Sequence, residues 1–439
     1  MKASGQISRR TLLRAGMGMG AGLLILPFSR ARGAELPNNK LNIAVIGVGG
    51  RGAGDLAGVS SENIVALCDL NANNLAAAAK KYPNAKTYVD WRLCLEHKGL
   101  DAVVCATTDH THAFVNIWAM NRGLHVYCEK PLANSVHEAR LVRETYLKHK
   151  GKLATQMGTQ IHASDNFRRV VELIRDGAIG TPQEARVWCS RLPKGGSYLP
   201  AEPVPAHLNW DLWLGPSREH PYNAGYMGGC LAWNRFWDFG SGQIGDMGSH
   251  MMDLAWWAFD LRFPTSCEAT GTPVNPDTCP EWLTATWEHP ATDKRPAVKV
   301  YWYDGGKKPG MPNSAFDREK LFKGHIFKGT EGTLVADYDL RILVPKSNMT
   351  KYHAPTEASL IPPSVGHHQE WINACKTGSP TLCNFDYAGT LIEHNLLALV
   401  AYRAGKKLQW DAANLKATNC PEADGFIRKT YRDGWTLNG

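Results

Sequence analysis

Between residues 41 and 131, four short, continuous apolar runs alternate with stretches of helical patterning, and this alternation limits the fold more than any other feature. The runs are LNIAVIG (41–47), NIVALCD (63–69), DAVVCATT (101–108) and HVYCEKP (125–131); segments 71–82, 111–123 and 135–151 read as helices. Strands that are apolar on both faces need cover on both faces, which calls for a parallel sheet between two helical layers. The expected fold is α/β, with an N-terminal Rossmann doubly wound parallel sheet over residues 38–158.

The pattern changes after residue 160. A helix over 163–177 leads into an extended segment at 184–191. Segments 283–289, 297–303 and 331–338 then alternate apolar and polar residues, as in a sheet with one solvated face. These features predict a C-terminal α+β domain over 159–439 with a largely antiparallel open sheet. Residues 192–241, rich in Pro, Gly and Trp, read as a long irregular insertion, and long ordered loops are commonly functional.

Gly47, Gly49 and Gly52 fit G-x-G-x-x-G directly after the first apolar run, with Gly50 and Arg51 inside the motif. Glycines there let a backbone approach a pyrophosphate at a helix N-terminus. Asp69, which ends the next run, can accept from both ribose hydroxyls. A carboxylate at that position repels a 2′-phosphate and favours NAD. Arg51 beside it keeps NADP open.

The net charge of +8 suggests a polyanion partner, yet six of the positive charges fall within residues 1–33, which contain no Asp or Glu. The remaining chain is close to neutral, so no nucleic-acid partner is expected. Residues 8–13 read SRRTLL, and 15–29 form an uncharged run too short and glycine-rich to span a bilayer, so no stable membrane span is expected. Segment 1–33 resembles a bacterial twin-arginine signal peptide with Arg9 and Arg10 as the pair; a basic disordered N-terminus is the alternative. Export by that route implies a periplasmic or otherwise exported protein that carries a cofactor loaded beforehand and therefore tightly bound. The eleven cysteines show no CxxC pattern and read as small buried hydrophobes.

The motif CEKP (128–131), following the glycine motif and ATTDHTHA (106–113), resembles the glucose–fructose oxidoreductase, inositol dehydrogenase and rhizopine catabolism (Gfo/Idh/MocA) family. The likeness continues through 158–188, NWDLWLGP (209–216), GQIGDMGSHMMDLAWWAF (242–259) and YRDGW (431–435). It implies Lys130 as catalytic lysine, with Asp246 and His250 as a D-x-x-x-H pair. Thr107, His112, Glu129 and Lys130 itself are implied as cofactor contacts, and Lys130-Pro131 as a cis bond. If residues 246–250 are helical, Asp246 and His250 share a face, and the carboxylate would orient the imidazole. Lys130 near a cationic nicotinamide is expected to have a lowered pKa.

The family's T-P-N-x-x-H is replaced here by Thr107-Thr108-Asp109-His110-Thr111-His112. Asp109, His110 and His112 also offer metal-ligand types, but caps and surface groups are commoner at a helix start, so no metal is expected. Ten of the fifteen tryptophans lie between 188 and 302, facing the expected nicotinamide side. Aromatic faces suit sugar C–H faces, although most tryptophans build cores. Arg168, Trp233, Arg235 and His367 are candidate substrate contacts; His367 and His368 read equally as a solvated helix start.

The resemblance implies NAD(P)-dependent hydride transfer at a hydroxyl or keto carbon of a sugar, glycoside or cyclitol by a homo-oligomer. A redox-assisted glycosidase or lyase and a non-catalytic sugar-binding protein are the alternatives. Glu-Lys-Pro argues against the first, and the retained Lys, Asp and His argue against the second.

Overall fold

β1 (Asn42–Ile46) is buried along almost its whole length, as a continuous apolar run demands. After it come α1 (Arg51–Gly58), β2 (Asn63–Cys68), α2 (Ala72–Lys81), β3 (Lys86–Tyr88), α3 (Trp91–Cys94), β4 (Ala102–Cys105), α4 (Asp109–Asn121), β5 (His125–Cys128), α5 (Val136–Lys148) and β6 (Thr155–Met157). The computed structural model describes residues 39–312, 320–345 and 360–438. The arginine-rich segment 1–33 lies outside them.

The strands form one parallel sheet in the order β3-β2-β1-β4-β5-β6, the doubly wound arrangement expected. Strand order reverses between β1 and β4, which opens a crevice at their C-terminal ends. Local chemistry sets the helix starts. Ser135 Oγ accepts from the Glu138 N–H at 3.2 Å, while the Glu138 carboxylate reaches back to the Asn134 N–H at 2.8 Å, a reciprocal cap that opens α5.

α6 (Asp165–Arg175) leads into β7 (Pro182–Cys189). Residues 190–241 are irregular apart from short turns that include α7 (Trp210–Leu214) and α8 (Cys230–Trp233), in line with the expected insertion. α9 (Gly242–Ala258) is buried nearly throughout. There follow β8 (Ser266–Gly271), β9 (Leu283–His289), β10 (Val298–Asp304), β11 (Lys323–Gly329), β12 (Thr333–Ala336), β13 (Arg341–Val344), α10 (His367–Thr377), α11 (Phe385–Ala404), β14 (Leu408–Asp411), β15 (Lys416–Ala417) and α12 (Asp424–Ile427).

β7 to β15 form a nine-stranded sheet in the order β13-β12-β11-β7-β10-β9-β8-β14-β15, antiparallel except for the β7–β10 pair. β9 and β10 bury every second residue, so one face packs inward and the other is partly open. Trp256, Trp287 and Trp302 are enclosed in the core behind that inner face. Most of the tryptophan-rich region therefore builds core.

The described residues from Lys40 onward form one compact unit, because C-terminal helices return to the first sheet. Trp371 and Ile372 of α10 pack with Val45, Leu67 and Val104. α11 lies against α5, where the buried Arg140 guanidinium makes two hydrogen bonds to Glu393 at 2.8 and 2.9 Å. Among the described residues no helix is long and apolar enough to cross a membrane.

Candidate active site

The chain leaves β1 through Gly47 at φ +83°, a left-handed conformation that glycine adopts without steric cost. A Cβ on Gly47 would lie 2.5 Å from the Ala106 carbonyl oxygen, and one on Gly52 would lie 1.8 Å from the Gly47 oxygen. Gly50, also at positive φ, has open space where a Cβ would sit and forms the N-terminus of α1. Asp69 Oδ2 accepts from the N–H groups of Val48 at 3.0 Å and Gly49 at 3.1 Å, so the acid at the end of β2 holds the turn in place. Burial pushes its carboxyl up, against the pull of these hydrogen bonds.

Gly47, Gly49, Gly50, Asp69 and Thr107 line a cleft whose far wall is Trp213, Tyr226 and Trp233 from the irregular insertion. A tight turn that excludes side chains, an open helix N-terminus and a carboxylate at the next strand end together fit a dinucleotide.

Two expected cofactor contacts lie behind this cleft. His112 is buried, with Nδ1 2.7 Å from the Pro131 oxygen and Nε2 3.0 Å from the Thr107 oxygen. It fastens the turn after β4 to the turn after β5 and does not line the cleft. Glu129 is also enclosed, its Oε1 taken by Arg51 Nε at 3.0 Å and Gln160 Nε2 at 2.5 Å. These corrections share one cause: the groups are saturated by the protein and set the shape of the site from beneath. The metal alternative also loses its ligands. His110 is held between the Phe239 and Trp213 carbonyls, at 3.2 and 3.0 Å, so neither it nor His112 converges with Asp109.

Lys130 follows directly, and its bond to Pro131 is cis as the resemblance implied. Its ammonium pairs with Asp246 Oδ1, and Asp246 Oδ2 accepts from Arg191 Nη1 at 2.7 Å. Burial opposes the charge on Lys130, but the Asp246 carboxylate outweighs it and raises the ammonium above its ordinary pKa. The lowered pKa expected from the sequence is corrected for the protein alone: a nearby carboxylate stabilises the cation. Asp246 in turn lies below the usual carboxylate range, because Lys130 and Arg191 overcome its burial.

Asp246 and His250 both sit on α9, one turn apart, yet no hydrogen bond joins them because both Asp246 oxygens hold cations. His250 Nδ1 instead lies 3.3 Å from Thr159 Oγ1. The Thr159 hydroxyl donates to the Ser249 carbonyl at 3.2 Å, which leaves its oxygen free to accept from Nδ1–H. Thr159, absent from the sequence reading, therefore selects the tautomer in which Nε2 carries the lone pair. Burial and the Lys130 charge lower the His250 pKa to about 3, so the imidazole is neutral at ordinary pH.

Trp233 lines the nucleotide cleft, and Arg235 lines an adjoining pocket. Arg168 does not join them: it is 3% exposed and tied to Glu370 and the Pro362 carbonyl, each at 2.7 Å. His367 is buried with Nε2 2.8 Å from the Met157 oxygen, and His368 Nε2 lies 2.9 Å from Asp55. Neither the substrate reading nor the solvated reading of this pair holds, because both rings secure α10 to the first sheet. Arg191 and Thr159 are the functional candidates sequence reasoning missed. Arg191 lies two residues beyond β7, an unmarked position until the fold brings it to Asp246.

These features define a nucleotide-binding Rossmann sheet coupled to a second sheet, with two cations gathered on the buried Asp246 and a neutral histidine at their junction. Residues 41–157 match a family model described as "Oxidoreductase family, NAD-binding Rossmann fold", and residues 168–295 match its partner, "Oxidoreductase family, C-terminal alpha/beta domain". Together they cover more than half of the chain. The chain belongs to the Gfo/Idh/MocA oxidoreductase family.

It is 31% identical over 147 residues to the inositol 2-dehydrogenase of Salmonella typhimurium, across 32% of this chain and 44% of that one. It is 31% identical over 135 residues to the D-apiose dehydrogenase of Paraburkholderia graminis, across 29% of this chain and 34% of that one. The matched stretches thus span less than half the length of these curated relatives. Among solved structures, levoglucosan dehydrogenase in complex with NADH superposes with a TM-score of 0.58 at 17% identity, across 84% of this chain and 98% of that one. That likeness is one of fold.

Proposed function

We propose that this chain catalyses NAD-dependent hydride transfer at a carbinol or keto carbon of a sugar or cyclitol. The observation that carries the reading is the placement of Lys130, Asp246 and His250 beside a glycine-lined dinucleotide cleft. Arg51 Nε, 3.0 Å from Glu129, ties the glycine turn to the Glu-Lys-Pro turn. Gly47, Gly49, Gly50 and Asp69 would hold the nucleotide, and the nicotinamide supplies the hydride acceptor or donor when bound. His250 Nε2 takes the hydroxyl proton, and the Lys130 ammonium donates a hydrogen bond to the same oxygen as it gains negative charge. Asp246 keeps Lys130 charged and aimed. In the reductive direction the proton returns along the same path.

The reading includes a preference for NAD. Asp69 supplies a carboxylate at the ribose end, while Arg51 is occupied by Asp55 at 2.9 Å and by Glu129. It also includes tight nucleotide retention and export by the twin-arginine route, for which Arg9-Arg10 and the acid-free segment around them are the support. Association between copies through the partly open face of the second sheet completes it. The names of the relatives support a sugar or cyclitol substrate.

The test is to denature the purified protein, identify any released nucleotide by mass spectrometry, and incubate intact protein with a glycoside and cyclitol panel. NAD(H) release and a product two mass units below the substrate support the reading. A hydrolysed product in place of an oxidised one supports the glycosidase alternative, and failure to bind nucleotide even when it is added overturns both.

A further inference from the structure

Beside the catalytic cluster is a second pocket of about 340 Å³, within the range of small-molecule sites. The short helix α8 divides it from the nucleotide cleft: Cys230 and Trp233 face the cleft, whereas Leu231 and Ala232 line the pocket. Among the described residues three cations, Arg191, Lys194 and Arg235, line the pocket, and no carboxylate does.

Their charges are poorly compensated. Among the described residues Arg191 has one carboxylate partner, Asp246, which it shares with Lys130. Arg235 donates to the Gly195 carbonyl at 3.3 Å and lies over the Phe236 ring, and among the described residues neither it nor Lys194 has an acidic partner. Glu281 approaches this edge, but its Oε1 accepts from the Gly195 N–H at 2.8 Å and it does not line the pocket. Two enclosed side chains add unused hydrogen-bonding capacity: Asn234, 2% exposed, has an unpartnered Nδ2, and Gln243, 3% exposed, has an unpartnered Oε1. Buried polar atoms rarely stay unpaired, so these two point to a polar ligand. Three cations around it specify the charge of that ligand.

We infer that this pocket recognises an anionic group on the sugar substrate, a carboxylate or a phosphate or sulfate ester, and holds the rest of the ring against His250 and Lys130. The inference rests on the proposed hydride transfer and names the substrate class for it. Arg235 and Lys194 take the anionic oxygens, and Asn234 and Gln243 take ring hydroxyls. Arg191 sits between pocket and chemistry, linked at 2.7 Å to the carboxylate that holds the catalytic lysine.

The experiment is isothermal calorimetry of the NADH-loaded protein with D-glucose, D-glucuronate, glucose 6-phosphate and glucose 6-sulfate, with NAD reduction measured for the same four. At least one acidic sugar is expected to bind at least about tenfold more tightly than glucose, with affinity falling as salt rises. Which acidic arm wins identifies the group. Arg235→Gln should erase the difference while NADH binding is unchanged, and Lys194→Gln, at an exposed position, should reduce it if the first variant does not fold. Equal or better binding of glucose, or a preference untouched by both variants, overturns the inference. Turnover of neutral sugars with no acidic preference would leave the hydride-transfer reading standing. Acidic sugars that bind without NAD reduction would preserve the pocket assignment and count against hydride transfer.

Discussion

Arg191 reaches Asp246 at 2.7 Å and occupies the carboxylate oxygen that Lys130 leaves free, so one buried acid serves two cations. Removing the acid leaves the largely enclosed Lys130 without its ion pair and the one-third exposed Arg191 without Asp246, and removing Arg191 leaves Lys130 paired. Asp246→Asn should lower kcat by about 100-fold or more, within the range of acid–base contributions, and Arg191→Gln by less. Steady-state kinetics of the two variants checks the order. Equal losses would mean that Arg191 acts on the substrate as directly as Asp246 acts on the lysine.

Thr159 fixes the His250 tautomer without touching the reacting atoms. Thr159→Val should lower kcat by about tenfold with little change in KM, because the imidazole loses its acceptor at Nδ1. Thr159→Ser should restore the rate. Equal impairment of both variants would show that the methyl packing matters and the hydroxyl does not.

The glycines should differ sharply in tolerance. Gly47→Ala combines positive φ with a 2.5 Å contact to backbone and should abolish NADH binding or folding. Gly50→Ala meets open space, and its cost is the backbone strain of placing a side chain at φ +51° and ψ −120°, about 1 to 3 kcal/mol. Fluorescence titration with NADH and thermal melts separate these outcomes.

Acid should destabilise the fold from slightly acidic pH downward. Burial lowers the pKa of His110 and His325 to about 4 and of His367 and His394 to about 3. In the unfolded chain these groups take protons near about 6.5, so below that pH the unfolded state binds more protons and stability falls. Each contributes up to about 2 kcal/mol of that loss at about pH 5. Asp304, pushed up to about 7 by burial, works in the opposite direction, as do Asp69, Asp109, Glu129, Glu138 and Glu393, whose carboxyls burial also raises, but the lowered histidines, which include His112, His250 and His289 as well, are more numerous. A Tm that falls between about pH 7.5 and 5 is expected, and an unchanged Tm would mean that these rings accept protons in the fold.

Much of this architecture is legible in the residues. The apolar runs around Val45 and Val104 demand a covered parallel sheet, and the Gly47 turn falls at its reversal point. Alternation over 283–289 marks a half-open strand that the structure reproduces residue for residue. The failures concern what side chains face. His112, Glu129, Arg168 and His367 are polar residues of chemically suggestive type, but each is held by a partner far away in sequence. Arg191 and Thr159 carry no local signal, since their importance comes from Asp246 and His250 arriving from α9.

Lys130→Met tests the central claim most directly, with NADH binding and NAD reduction measured on the same preparation. Lys130 lies outside the glycine turn and is held by Asp246, so NADH should bind with unchanged affinity while turnover falls about 100-fold or more. Turnover within a few-fold of the parent protein would contradict the role assigned to Lys130 and the hydride-transfer mechanism built on it.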